Sequence, residues 1–466
     1  MAFVARLLED PQLPQLAMAT NVAAMQNLLQ NNLPGFAEGE LKIDKLEITE
    51  FDYKPGRKCC LSYGLRVSSL RANKTGYQIL VGMIEPNGGA ARKFDKMRNA
   101  ALSAPEFVPA LRFLPEQQML LWGFPNDPKI KHLAALVEQD RLRDLLQRHW
   151  PALNIPQEFA LREAQTSVVK YAPQTRCTLR HVLLLETESG RGSAEVTLYS
   201  KIFSSKISVK PLFRKLQTLW RSPVCQSGAL LIPEPVIYDA ALNAIFQRGL
   251  RGRNVDQLLP EADLAAIAAS SGAMLAQFQQ SAFERLELRS PEHELYECEK
   301  NLARLAESAP ENLALAQAVE AELRQRFSQL TPLAPTPIHG AFRLTQLLLV
   351  EGRLALIDFD DLMQGNPVSD IGGFLAYLLY LPLKGLITEE QSRAAIRGFC
   401  AAYRARSPWG LPQDLLQWHT AAYLLCREVK KCLEKSNKVS KRDYEGMIAK
   451  LLTLADEILA GRRQLE

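Results

Sequence analysis

The residues best equipped for chemistry lie close together near position 350. Asp358 and Asp360 stand two apart in Ile357-Asp358-Phe359-Asp360, directly after an apolar run. A strand exit there can direct both carboxylates toward one divalent cation, the competing use being to cap the following turn. Upstream runs Ile338-His339-Gly340-Ala341-Phe342-Arg343-Leu344-Thr345-Gln346, and downstream Gly365-Asn366-Pro367-Val368-Ser369-Asp370. Much earlier in the chain, Lys201 interrupts the strand-like run Val196 to Phe203. An ammonium in such a strand is costly unless an anion meets it, or unless the strand is an edge whose lysine points to solvent.

These groups need elements to hold them. Gln346 to Val350 and Leu354 to Ile357 are apolar runs joined by Glu351-Gly352-Arg353, which reads as a β-hairpin with the acid pair at its exit. From Glu261 onward the remaining pattern is helical, with amphipathic stretches at 261–280, 291–308, 311–330, 388–406, 412–434 and 440–461. Before Glu261 the chain repeats itself. Tyr53-Lys54-Pro55-Gly56-Arg57-Lys58-Cys59-Cys60-Leu61 recurs at an offset of 118 as Tyr171-Ala172-Pro173-Gln174-Thr175-Arg176-Cys177-Thr178-Leu179. Later blocks follow in the same order at offsets of 119 and 124, the drift that loop insertions produce. Each copy reads as an antiparallel meander, a helix (Pro211 to Trp220 in the second copy) and two short strands. Met83 in the first copy stands where the second has Lys201, so the first cannot hold an anion in that way.

Composition narrows the classes. The chain has 466 residues, 47% hydrophobic and 23% charged, enough core for two or three globular domains. Its 56 Lys and Arg against 51 Asp and Glu leave a formal charge of +5, too small to call for nucleic acid as a partner. The 8 cysteines form no CxxC pair and read as buried thiols of a reducing compartment. The N-terminus shows no export signal, and the longest apolar run, Ile371 to Leu383, is too short to span a membrane. A cytoplasmic location, with no membrane and no nucleic-acid partner, is therefore expected. The basic stretch Arg427 to Arg442 reads as a solvated helix face and loop.

The motif set resembles the aminoglycoside phosphotransferase / choline kinase-like family, of protein kinase-like fold. That family's pattern is HGD, a metal-binding Asn five residues after the Asp, a hairpin, I-D-x-[DE], then GdPxxDl. The resemblance covers about residues 158 to 460. It implies ATP and Mg²⁺ as cofactors, Lys201 on the nucleotide phosphates with Arg176 as a further candidate whose competing reading is an exposed arginine, and Asp358, Asp360 and Gln346 on the metal. Gln247 to Gly252 matches the interlobe linker, with Gly249 and Gly252 allowing backbone to approach an adenine. His339 and Asp370 are implied to be structural. Three departures stand out: Ala341 occupies the place of the catalytic Asp, Gln346 replaces the Asn, and no acid occurs from Lys201 to Pro233 to pair with the lysine.

The expected architecture is α+β, a protein kinase-like two-lobe fold with an extra N-terminal copy of the small β-sheet lobe. Its parts are a helical extension (1–40), a degenerate N-lobe-like module (41–135), a linker (136–157), the N-lobe (158–260) and a helical C-lobe (261–466). The expected function is an ATP- and Mg²⁺-binding, catalytically degenerate phosphotransferase, a pseudokinase-like binding module with a nucleotide and a protein as partners. The alternative is an active O-phosphotransferase on a small hydroxylated molecule, working with an altered base.

Overall fold

The computed structural model describes residues 10–69, 71–187, 192–259, 261–436 and 443–465. They fall into two compact units, Met1–Lys210 with Val236–Gly249, and Pro211–Pro235 with Leu250–Glu466.

The first unit holds two five-stranded antiparallel sheets. Strands β1 (Leu41–Lys54), β2 (Lys58–Ser69), β3 (Lys74–Ile84), β4 (Leu111–Leu114) and β5 (Met119–Gly123) are ordered β1-β2-β3-β5-β4. Strands β6 (Phe159–Ala172), β7 (Arg176–Thr187), β8 (Ser193–Phe203), β9 (Pro235–Asp239) and β10 (Ala244–Arg248) are ordered β6-β7-β8-β10-β9. Met83 pairs with Cys60 and Leu120, and Lys201 pairs with Thr178 and Ile245, which gives the two residues matching ladder positions.

Alternation along these strands makes two cores. The back of the first sheet (Cys59, Leu61, Tyr63, Leu65, Leu80) packs on helices α1 (Leu16–Thr20) and α2 (Val22–Asn32) through Leu16, Ala19, Met25 and Leu29. Its front (Cys60, Val81, Met83, Trp122) packs on the back of the second sheet, where Cys177, Leu179, Leu183, Leu198, Ile202 and Phe246 alternate inward. Between β3 and β4 lies helix α3 (Gly89–Met97). Residues 136–157, read from sequence as a linker, include helix α4 (Gln139–Arg148), which adds Leu142, Leu145 and Leu146 to the shared core. The sheets are also joined by polar groups: Trp122 Nε1 donates to the Tyr171 hydroxyl at 3.2 Å, which donates to Asp127 at 2.7 Å.

The second unit is mainly helical. Helices α5 (Lys210–Trp220), α6 (Leu264–Gln279), α7 (His293–Ser308), α8 (Leu313–Phe327), α9 (Pro367–Leu383), α10 (Glu389–Arg404), α11 (Gln413–Tyr423), α12 (Lys430–Ser436) and α13 (Tyr444–Leu459) follow in chain order, with a π-helical turn at Leu424–Val429. Small sheets β11-β13-β14 (Arg253–Asn254, Leu347–Val350, Arg353–Leu356) and β12-β15 (Thr336–Ile338, Met363–Gly365) lie among them. Helix α9 is the apolar run read from sequence. Asn366 caps it by accepting from Val368 N at 3.0 Å, Pro367 suits its first turn, and residues 367 to 381 are all buried. Among the described residues no helix is long and apolar enough to cross a membrane.

One segment sits elsewhere than the sequence grouping puts it. Residues 211–235 follow the meander in sequence, yet they pack with the helical unit. Leu356 N donates to Leu231 O at 2.9 Å, Lys215 Nζ donates to Leu362 O at 3.0 Å, and the Arg353 guanidinium bonds the Gly228 carbonyl. Helix α5 thus brings a lysine, and no acid, beside the turn that follows Asp358.

Candidate functional site

Strand β12 delivers His339 and Gly340 onto a loop clamped by one carboxylate. Asp370, on the first turn of α9, accepts from His339 N at 2.6 Å and from Gly340 N at 2.9 Å. It is fully buried; burial pushes its carboxyl up, and these N–H groups oppose that. Gly340 is required twice over, by its φ of +78° and because a Cβ would stand 2.6 Å from the Asp361 carbonyl oxygen. The buried His339 ring holds its Nε2 2.9 Å from Ile357 O and packs 5.0 Å from the Phe359 ring. Burial lowers its pKa, so it is a neutral spacer between the loop and the acid segment. At the next position, half-exposed, stands the methyl group of Ala341.

The acid segment is backbone-strained at one place. Asp358 has φ 67° and ψ 61°, a left-handed conformation that costs a residue with a side chain about 1–3 kcal/mol and persists where surrounding structure imposes it. Here the constraints are the β13-β14 hairpin before it and the single turn Phe359–Asp361 after it. Ile357 N donates to Gln346 O at 3.0 Å, so Gln346 and Asp358 occupy one end of the same hairpin, with Asp360 on the turn. Two carboxylates and an amide carbonyl are hard oxygen donors of the type magnesium takes when phosphates supply its other ligands. The residues fit such an ion. Among the described residues no cluster of three or more His, Cys, Asp or Glu forms a metal cage of protein groups alone.

Lys201, Arg176 and Gly249 belong to the first unit. Lys201 lies on β8 with a strand on either side, which removes the edge-strand reading. It is half-buried, on the face opposite Ser200 and Ile202. Arg176 opens β7, opposite Ala172 and Phe203. The turn before it is anchored on the first sheet: Gln174, at φ 63°, donates from its backbone N to Asp127 at 2.7 Å and from Nε2 to Met83 Sδ at 3.2 Å. Gly249 N donates to Thr197 O at 2.7 Å, and a Cβ there would meet Thr197 Cγ2 at 2.7 Å. In the second unit a Cβ on Gly252 would meet Val350 Cγ2 at 2.6 Å. Close backbone approach, rather than positive φ, accounts for both glycines.

Two groups of polar residues around the loop escape the motif pattern. Arg289 lies against Gly340, reaches the Tyr423 hydroxyl at 3.1 Å and faces Glu294 at 3.7 Å, while Ser369 donates to Glu294 at 2.9 Å. Burial raises the Glu294 carboxyl, but His419, Arg289 and the Ser369 hydroxyl together bring it below its ordinary value. The second group is Arg343, Arg427, Glu428 and Lys431. The start of the basic stretch is thus not the solvated face its composition implies: Glu428 is fully buried and Lys431 largely so, while residues 437–442 lie outside the described residues. Composition could not show this, because Arg343 is more than 80 residues away from its companions in sequence.

Residues 182–410 match the model of the phosphotransferase enzyme family. No curated protein matches the chain in sequence. Among solved structures, a choline/ethanolamine kinase family protein from Mesorhizobium loti is 14% identical, over 60% of this chain and 88% of its own, with a TM-score of 0.40. A choline kinase from Cryptosporidium parvum is 9% identical over 69% and 95%, at 0.43. An amicoumacin kinase in complex with AMP-PNP and Ca²⁺ is 14% identical over 69% and 95%, at 0.42.

Proposed function

Because residues 182–410 match the model of the phosphotransferase enzyme family, we propose that this protein is a nucleotide-binding phosphotransferase homologue with degenerate chemistry. Phosphoryl transfer asks for cations on the phosphates, a bridging metal and a group that receives the hydroxyl proton. Lys201 and Arg176 would meet the phosphates, Gly249 and Gly252 would admit the base, and Asp358, Asp360 and Gln346 would hold Mg²⁺. The metal, when bound, neutralises phosphate oxygens. The observation that carries the reading is Ala341. Asp370 and His339 hold the loop by hydrogen bonds, and the side chain at position 341 accepts no proton. Gln346, one methylene longer than the family's Asn, and Lys215 on the helix that lacks an acid point the same way. We further propose that the first sheet is a second copy of the small lobe. Its matching strand order and ladder positions support this, and Met83 leaves it without a phosphate lysine.

A second reading, an active O-phosphotransferase with an altered base, is favoured by Asp361. Its carbonyl oxygen and Cβ lie 2.6 and 2.8 Å from where a Cβ of Gly340 would stand, so an exposed carboxylate neighbours the loop. Calorimetric titration with ATP, with and without Mg²⁺, together with steady-state turnover, separates the two. The degenerate reading expects Mg²⁺-enhanced ATP binding with turnover far below about 1–100 s⁻¹. Ordinary turnover favours Asp361 as base, and absence of ATP binding removes the nucleotide site.

A further inference from the structure

The three cations Arg343, Arg427 and Lys431 come together at the loop that carries Ala341. Arg427 Nη2 donates to the Gly340 carbonyl at 3.0 Å, and its guanidinium lies 4.7 Å over the Tyr423 ring. Lys431 Nζ reaches both Glu428 oxygens, at 2.7 and 2.9 Å, and sits 5.0 Å over the Tyr377 ring. Arg343 interacts electrostatically with Arg427, Glu428, Tyr377 and Asp358, and its Nε is buried without a hydrogen-bond partner. Carboxylates do not balance these charges. Glu428 pairs with Lys431, Asp256 accepts from the Tyr377 hydroxyl, and Asp358 acts on Arg343. Among the described residues two carboxylates, Glu428 and Asp358, are thus set against three cations. Burial lowers the Lys431 amine to about 8 even with Glu428 beside it, and Arg343 and Arg427 add to that effect.

Local backbone supports a built site. Arg427 and Glu428 lie on the π-helical turn Leu424–Val429, a rare arrangement that is frequent at functional sites. Partly desolvated cations in excess are stabilised when an anion completes them, and guanidinium forks match carboxylate and phosphate oxygens in pairs. A cationic amine in the same place would meet three like charges.

We propose that this cluster binds the phosphate or carboxylate of a hydroxylated ligand beside the catalytic loop, making the acceptor an anionic molecule rather than an amine. The inference rests on reading residues 339–346 as the phosphotransfer loop. Full-length protein is titrated calorimetrically with glucose 6-phosphate, gluconate and pyrophosphate, and with glucose and glucosamine as neutral and cationic counterparts. Arg343→Gln and Lys431→Gln are tested in parallel, their folding verified by circular dichroism. An anionic probe should bind about tenfold or more tighter than glucose, with glucosamine weakest, and each variant should lose about tenfold of that affinity or more. Equal or tighter binding of glucosamine, unchanged affinity in both variants, or no binding of any anionic probe overturns the proposal. ATP titrated on the same samples separates the two ideas. Binding of ATP alone removes the anionic ligand and leaves the nucleotide reading, whereas variant-sensitive anion binding without ATP binding does the reverse.

Discussion

Restoring a carboxylate by Ala341→Asp tests the central claim most directly. The position is half-exposed, so the larger side chain displaces no packed core, and the clamp from Asp370 to His339 and Gly340 is untouched. A new carboxylate would stand two residues before Arg343 and next to the Gly340 carbonyl that Arg427 holds. Both cations favour its ionised form, the form able to accept a proton. A positioned general base contributes about 10²–10⁴ in rate, which at about 1.36 kcal/mol per factor of ten is about 2.7–5.4 kcal/mol of barrier. Hydrolysis of Mg·ATP, followed by phosphate release, is the suitable assay because water serves as acceptor and the natural one need not be known. The variant should exceed wild type by at least about a hundredfold, with stability changed by no more than about 1 kcal/mol. Equal rates for two proteins that both bind Mg·ATP would show that the missing base does not limit the chemistry.

Two further outcomes follow from buried charges. Asp370→Asn offers one acceptor oxygen where two N–H groups now bond, and should destabilise the second unit by about 2–4 kcal/mol; hydrogen exchange at His339 and Gly340 should accelerate, and unchanged protection there would contradict the clamp. Lys431 has its amine lowered from 10.5 to about 8, mainly by burial. The unfolded chain therefore binds more protons between those values, and the penalty of a charged Lys431, full below pH 8, is relieved as pH rises toward 10.5. Relative to Lys431→Met, wild-type stability should rise by roughly 3 kcal/mol or somewhat less across that window in denaturant titrations, and a fall would reverse the assignment.

Much of the site was legible because its signals are local. The Glu351-Gly352-Arg353 turn gives the hairpin, and the hairpin fixes where Gln346, Asp358 and Asp360 emerge. Asp370 and His339 both bond backbone, as the family resemblance implies. The amphipathic stretches from Glu261 onward correspond to α6, α7, α8, α10 and α13 and, as one stretch across the π-helical turn, to α11 and α12, residues 440–442 lying outside the described residues, while α9 is the apolar run. What stayed hidden depends on tertiary placement. Lys215 is an unremarkable helix residue until α5 packs beside Leu362, and Gln174 is a turn residue until Asp127 and Met83 capture it. Arg427 and Lys431 share a composition with solvated basic helices, and only a π-helical turn and a distant Arg343 give them a buried role.

The stacking of the two sheets in the first unit gives that unit a direction. Front meets back at the shared core, so the order of the sheets along the chain cannot be exchanged without pairing faces that were never matched. The first sheet has its front filled by Cys177, Leu179 and their neighbours. At the far end, helices α1 and α2 act as the terminal cap of a short array, covering Leu61, Tyr63 and Leu65. Without that cap a sheet face made for burial would be left to find another partner, which is how the open ends of stacked proteins come to seed aggregates.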